Sequence, residues 1–399
     1  MRKTAKKHLP LAHLHHHVRK KHIRRVRQEN HPNVKLMVQP EDGIEPILTA
    51  LRKAKKSIQI LIFRFDRSEI ERALVDAVER GVAVQALIAF TNRGEEKNLR
   101  KLEMRLLERG ITVTRTADDL VRYHGKMFII DRKVLHLLAF NYTHMDITLS
   151  RSFSVAITTR SVVDEAIKLF ECDAHRQPYV STSRHLVVSP VNARKELTEF
   201  IKGAKKQLLM YEMKISDPDF IALLRQKIAQ GVDVRVVGRV SPKANAIPLR
   251  ILPTRLHARA MLRDGKAAFL GSQSLRKLEL EARREIGVTF EDAAVVRKMV
   301  NIFEQDWKRS QPMQEGLESA IELPVRRVAK IVAKHIHVKP VVEQVLERVL
   351  DCSNSDVPFE PDEVAQTVRD AFREEVHDAV LLALRDMAQQ AALLQPEKE

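Results

Sequence analysis

Two short segments carry chemistry-bearing residues in the same order. "YHGKMFIID" (123–131) holds His124, Lys126 and Asp131, and "RLHARAMLRD" (255–264) holds His257, Arg259 and Asp264. Residues two apart in a strand share a face, so each histidine stands beside its cation while Met127 to Ile130 are free to bury. Two histidines and two cations that converge suit phosphodiester chemistry without a metal. The cations bind the phosphoryl oxygens and stabilise the extra charge of the transition state. One histidine attacks phosphorus and the other protonates the leaving alcohol, and both protonation states are accessible to groups with a pKa of about 6.5. Water or a second alcohol then releases the phosphohistidine. Asp131 and Asp264 end their strands at turns, and Asp264-Gly265 is a hairpin signal, so from the residues alone a turn role outweighs a chemical one. Other histidines on apolar strands, such as His136 and His144, read as core residues.

The elements that position these residues are duplicated. "LMVQP" (36–40) is echoed by "LVVSP" (186–190), "LRKAKKSIQILI" (51–62) by "IKGAKKQLLMYE" (201–212), and "VERGVAVQALI" (78–88) by "IAQGVDVRVVG" (228–238). All three echoes share one offset, since 190−40, 204−54 and 231−81 each equal 150. At the histidine motifs the offset is 133, so the second copy has lost 17 residues of the preceding loop. Within a copy, short β-branched runs such as "SIQILIF" alternate with amphipathic runs such as "SEIERALVDAVERG", which ends on a glycine. That alternation predicts a largely parallel sheet covered by helices.

Composition bounds the rest. With 399 residues, 44% hydrophobic and 30% charged, the chain can bury a large core. No apolar run is long enough to span a bilayer, and two cysteines form neither a disulfide framework nor a zinc cluster. The expectation is a cytoplasmic protein. Residues 1–33 hold ten Lys or Arg against Glu29 alone, more than half of the +17 excess. Such a tail is expected to be disordered and drawn to anionic surfaces, either acidic lipid or nucleic acid. Its histidines show no regular ligand spacing, and no metal site is assigned.

On these motifs the chain resembles the phospholipase D superfamily, whose signature is H-x-K-x4-D followed by G-S-x-N and then a Glu. The resemblance covers roughly residues 34–308. It implies a duplicated α-β-α sandwich with pseudo-twofold symmetry, one active site where the copies meet, a phosphohistidine intermediate and neither metal nor cofactor. It makes His124, Lys126, Asp131, His257, Arg259 and Asp264 the catalytic set, and Asn141, Ser272, Ser274 and Glu285 the substrate-binding positions. Several positions depart from the pattern. The first copy has Leu138-Ala139 for Gly-Ser and Ser152 at the acidic position, while the second has Arg259 for the Lys and Ser274 for the Asn. The resemblance makes His124 the nucleophile and His257 the acid, whereas Glu285, available only to His257 on this reading, would raise the basicity of the latter.

The domain reading is a basic tail (1–33), a first lobe (34–180), a second lobe (181–310) and a C-terminal helical region (316–399), whose long amphipathic stretch begins near Glu363. The leading functional expectation is a phospholipase D-type phosphodiesterase or phosphatidyltransferase on glycerophospholipids, cardiolipin synthase-like, peripheral at the inner membrane surface. The alternatives are a nuclease of the same superfamily and a non-catalytic phosphate-ester-binding protein with a degenerate site. Low aromatic content, 5%, offers few stacking platforms for single strands. Oligomeric state, head group and acceptor alcohol are not legible in the residues.

Overall fold

Apolar runs and amphipathic runs alternate along the chain, and the computed structural model turns them into two eight-stranded sheets with helices. It describes residues 33–90, 96–240 and 247–312. The basic tail before Asn33 and the helical region expected at 316–399 lie outside the described residues.

The first repeat runs β1 (Val34–Gln39), α1 (Glu45–Arg52), β2 (Ser57–Ile62), α2 (Ser68–Glu79), β3 (Ala83–Ile88), α3 (Glu96–Glu108), β4 (Thr112–Arg115), β5 (Arg122–Tyr123), β6 (Met127–Ile130), β7 (Val134–Leu138), α4 (His144–Thr148), β8 (Ser150–Ile157) and α5 (Arg160–Ala174). The second runs β9 (Leu186–Val188), α6 (Ala193–Lys202), β10 (Gln207–Ile215), α7 (Pro218–Ala229), β11 (Asp233–Val240), β12 (Leu249–Ile251), β13 (Arg255–Leu256), β14 (Ala260–Arg263), β15 (Ala267–Gly271), α8 (Lys277–Glu281), β16 (Arg283–Arg284), β17 (Ile286–Phe290), α9 (Ala293–Arg309) and β18 (Gln311–Pro312). We call the repeats lobes.

The sheets are mixed, which corrects the expectation of a largely parallel one. Strands β2, β3 and β4 run parallel, as do β10, β11 and β12, because a helical crossover joins the first two strands of each set. From the histidine motif onward the strands are antiparallel, β2–β6–β7–β8–β1 and β10–β14–β15–β17–β9. The switch follows from the turns at Asp131 and Asp264, which leave no room for a crossover.

Helix placement follows the apolar spacing. Helix α2 buries Ile70, Ala73, Leu74 and Ala77, one stripe at helical period, and ends before Gly81 at φ +80°. Helix α7 repeats this with Phe220, Ile221 and Leu224, starts on Pro218 with Asp217 capping two backbone N–H groups, and ends before Gly231 at φ +81°. One core lies beneath α1 to α3 and another beneath α6 and α7. A third is shared, joining Met127, Phe153 and the inner face of α5 to Tyr211, Phe290 and the inner face of α9. Among the described residues, no helix is long and apolar enough to cross a membrane.

Candidate active site

The histidines meet because each lobe clips its motif onto the other. Strand β5 pairs in parallel with β16, and the N–H of His124 donates to the carbonyl of Arg284 at 2.7 Å. Strand β13 pairs in parallel with β8, and the N–H of His257 donates to the carbonyl of Arg151 at 3.0 Å. The side chains of those two arginines repeat the exchange. Arg151 Nε lies 2.8 Å from Asp306 Oδ2 and Arg284 Nη2 lies 3.1 Å from Asp173 Oδ1, all four side chains being buried. Since 284−151 and 306−173 both equal 133, these are one contact made twice across the pseudo-twofold axis, as in a two-fold symmetric dimer.

Around His124, Nδ1 is 2.8 Å from Glu285 Oε2 and 3.0 Å from Oε1. On its other side Lys126 Nζ lies 2.7 Å from Nε2 and donates to the His124 carbonyl at 2.7 Å. With the Glu285 oxygens as acceptors, Nδ1–H points at Glu285 and Nε2 holds the lone pair facing Lys126 Nζ. Phe63 meets the ring edge-on with centroids 4.4 Å apart. Burial, then the charges of Lys126 and Arg259, hold His124 well below the ordinary histidine range, against the pull of Glu279. Burial likewise pushes Lys126 well down, with Glu285 opposing, and pushes Glu285 up, with Lys126 opposing. Burial thus favours the neutral imidazole, whose Nε2 faces Lys126 Nζ.

His257 has a different carboxylate from the one expected. Its Nδ1 lies 2.8 Å from Asp146 Oδ1, whereas Glu285 serves His124. The pairing of Glu285 with His257 is thus corrected, because the acidic position of each lobe faces the histidine of the other. The counterpart of Glu285 in the first lobe, Ser152, faces His257 too, but donates Oγ to its carbonyl at 2.6 Å. Asp146 is the functional residue that sequence reasoning missed. Its oxygens also accept from Arg255 Nη1 at 2.6 Å and from the N and Nδ2 of Asn141 at 2.8 and 2.7 Å. Applying the 133 offset to Asp146 gives Glu279, whose Oε2 accepts from the N of Ser274 at 2.8 Å, and that acidic echo was the available signal. Burial pushes His257 down to about 4, with Asp146 opposing. Burial also raises Asp146, but His257, Arg255 and Asn141 outweigh it and hold the carboxyl well below the usual range.

Arg259 takes the lysine position in the second lobe. Its Nε donates to Ser274 Oγ at 3.2 Å, and its buried Nη1 has no partner among the described residues. Ser272 Oγ accepts from the N–H of Ile286 at 3.1 Å, beside Glu285. Asp131 and Asp264 are not brought to the histidines, which corrects their place in the catalytic set. Asp131 caps the backbone N–H groups of Lys55, Lys56 and Ser57, and Asp264 those of Lys205, Lys206 and Gln207. A strand of four residues separates each from its histidine's cation, roughly 15 Å. His136 stacks on Phe128 with centroids 4.2 Å apart, as a core residue should, whereas His144 is exposed and meets Arg67. Among the described residues no cluster of three or more His, Cys, Asp or Glu is placed to hold a metal.

Residues 47–174 match the family model described as cardiolipin synthase, PLD-like domain. Those residues carry a phospholipase D-like domain. This phospholipase D-like chain is 25% identical over 235 residues to a polyphosphate kinase of Prosthecochloris aestuarii, covering 54% of this chain and 32% of that protein. It thus spans about a third of the length of that curated relative. Among solved structures it resembles the polyphosphate kinase of Porphyromonas gingivalis, with TM-score 0.58 and 18% identity over 68% of this chain and 46% of that one. It also resembles the phosphatidylserine synthase of Haemophilus influenzae, with TM-score 0.56 and 14% identity over 80% of this chain and 98% of that one. Both likenesses are likenesses of fold.

Proposed function

We propose that the chain is a phosphoryl-transfer enzyme that moves the phosphatidyl group of a glycerophospholipid through a phosphohistidine, as a phospholipase D or phosphatidyltransferase. The observation that carries this reading is the pair of buried histidines, each with Nδ1 2.8 Å from a carboxylate oxygen of the opposite lobe, a hydrogen bond at His124 and an ion-pair contact without hydrogen-bond geometry at His257. A carboxylate at Nδ1 orients the ring, leaves Nε2 as the reacting atom and stabilises the imidazolium that forms.

In this reading the phosphodiester enters between the rings, and Lys126 and Arg259 take its non-bridging oxygens. His124 Nε2 forms a bond to phosphorus as the bond to the leaving alcohol breaks. The alcohol oxygen takes its proton from His257 Nε2. Water or a second alcohol then passes its proton to His257 and attacks phosphorus, which frees His124. His257 must carry a proton at the start, and burial disfavours it. An anionic phosphodiester beside the ring supplies the opposite charge that draws that proton on.

Support for a lipid comes from the rim. Val121 and Leu149 are half exposed and Leu278 is 42% exposed. Val121 precedes His124 by three residues, Leu149 adjoins Ser150, which pairs with Arg255, and Leu278 lies on α8, where its carbonyl accepts from the N–H of Ala282, whose own carbonyl accepts from Val121. Apolar side chains among arginines suit an anionic membrane surface, and the basic tail adds attraction to it. The second reading is phosphoryl transfer along a phosphoanhydride chain, favoured by the curated polyphosphate kinase relative.

The test incubates the full chain, or His124→Ala, with phosphatidylglycerol vesicles, with inorganic polyphosphate or with DNA, each with and without EDTA. Products are read by mass spectrometry. Phosphatidic acid or cardiolipin from wild type alone is the expected result. Turnover of polyphosphate alone selects the second reading, and cleavage of DNA alone a nuclease. No product from any substrate sinks the enzymatic reading in favour of a phosphate-ester-binding protein.

A further inference from the structure

Four positions around the cation differ between the lobes, and they differ together. In the first lobe Ile62 pairs with Ile88 across β2 and β3, both fully buried, and the cation and amide positions are Lys126 and Asn141. In the second lobe the corresponding residues are Glu212, Gly238, Arg259 and Ser274. A carboxylate has replaced an aliphatic side chain inside the core, and it is 3% exposed. An unpaired buried carboxylate would be strongly destabilising, so its partners must explain it.

Its partners are backbone N–H groups and two of the other exchanged positions, Ser274 and Arg259. Glu212 Oε2 accepts from the N–H of Leu275 at 3.1 Å and Oε1 from the N–H of Lys214 at 3.4 Å, and its carboxyl group, which burial pushes up to about 8 against the pull of Arg259, also meets the Ser274 hydroxyl. Ser274 Oγ accepts from Arg259 Nε at 3.2 Å. A hydroxyl can accept from the guanidinium and donate to the carboxylate at once, and it is short enough to leave room for the longer arginine. Gly238 makes the strand fit, since a Cβ there would stand 1.7 Å from the Glu212 carbonyl oxygen, and β10 bulges just after Glu212. The result is a line from Glu212 through Ser274 to Arg259 that leaves the buried Nη1 without a partner among the described residues. Buried donors are rarely left unpaired unless a ligand takes them.

We propose that Glu212 is a positioning residue of the phosphoryl site: through Ser274 it fixes the Arg259 fork so that Nη1 presents to an oxyanion, and Glu212, Ser274 and Arg259 act as one unit in place of Ile62, Asn141 and Lys126. This deepens the proposed function and rests on it for the identity of the phosphoryl group, though not for anion binding. Glu212 touches no reacting atom. A guanidinium held in one orientation grips oxygens through a planar fork, where the lysine of the first lobe offers a point charge.

The experiment uses full-length E212Q, E212I, R259K, S274N and the triple variant E212I/R259K/S274N. Calorimetry measures binding of inorganic phosphate, and turnover is followed on the substrate that wild type accepts. Each single variant is expected to weaken phosphate binding ~10-fold and to lower kcat ~10²-fold with a smaller change in KM. The triple variant, which copies the first lobe at three of the four positions and keeps Gly238, is expected to recover both to within about 5-fold of wild type, a non-additivity that residues acting separately would not give. E212Q keeps the shape and guards against a folding defect in E212I. Single effects that simply add in the triple variant, or wild-type phosphate binding and kcat in E212Q and E212I, would overturn the proposal. If wild type turns over no substrate yet phosphate binding follows the expected pattern, the positioning role stands and the proposed reaction falls.

Discussion

The two halves of the site solve one problem with different residues. His124 is held by Glu285, which comes from a strand start, and His257 by Asp146, which comes from a short helix. Each histidine therefore faces two positions of the opposite lobe, Glu285 and Glu279 for one, Ser152 and Asp146 for the other. In the first lobe the carboxylate that reaches the ring has moved from one position to the other while Ser152 keeps the carbonyl. A duplicated site is thus constrained by what the reacting rings need at Nδ1, and less by which residue supplies it.

The widest break in the comparison should come from the histidines themselves. His124→Ala and His257→Ala are each expected to lower kcat by ~10⁴-fold or more. Only His124→Ala should also lose the acid-labile phosphoenzyme trapped by rapid quenching, since His257 serves the proton. Loss of the trapped species in His257→Ala alone would exchange the two roles.

The carboxylates should come next. Asp146→Asn and Glu285→Gln keep shape but lose the charge that steadies the imidazolium, and ~10²–10⁴-fold losses of kcat are expected. The double variant D146N/S152E returns the carboxylate to the position that Glu285 occupies in the other lobe. It should recover at least ~10-fold of the D146N loss. No recovery would mean that the two positions do not face His257 equivalently.

How far these differences could be read in advance depends on what encodes them. The duplication, the mixed α/β class and the two histidine motifs rest on local patterns, and all were legible from the 150 and 133 offsets. The antiparallel half of each sheet was encoded in the turns at Asp131 and Asp264, but the alternation of apolar and amphipathic runs outweighed that signal. Asp146 was not read because its partner is 111 residues away in the other lobe, and nothing local to "YTHMDIT" announces a long-range contact. Glu212 was quoted within a matching block, where one glutamate opposite an isoleucine looks like ordinary drift. Its meaning appears only when Gly238, Arg259 and Ser274 stand around it.

The smallest effects are expected where the lobes are alike. Asp131 and Asp264 both sit at φ 53°, a backbone region that aspartate tolerates, and both cap three consecutive backbone N–H groups. Partial burial raises each carboxyl, but the three N–H groups outweigh it and hold both below the usual aspartate range. The stabilisation is therefore fully present above the unfolded-state pKa and is lost as pH falls through the folded one. Removing either cap by Asp→Ala should cost about 1–2 kcal/mol, the scale of a helix cap, and lower Tm by a few degrees with the histidine chemistry intact. Asp→Asn keeps an acceptor and tolerance of the same backbone, so it should cost less at neutral pH and remove part of the acid sensitivity. Chemical denaturation of D131A, D131N, D264A and D264N between pH 2 and 7 checks both points. A loss of turnover out of proportion to stability in either alanine variant would return that aspartate to the catalytic set, and unequal losses at the two positions would show that the lobes diverge even at their turns.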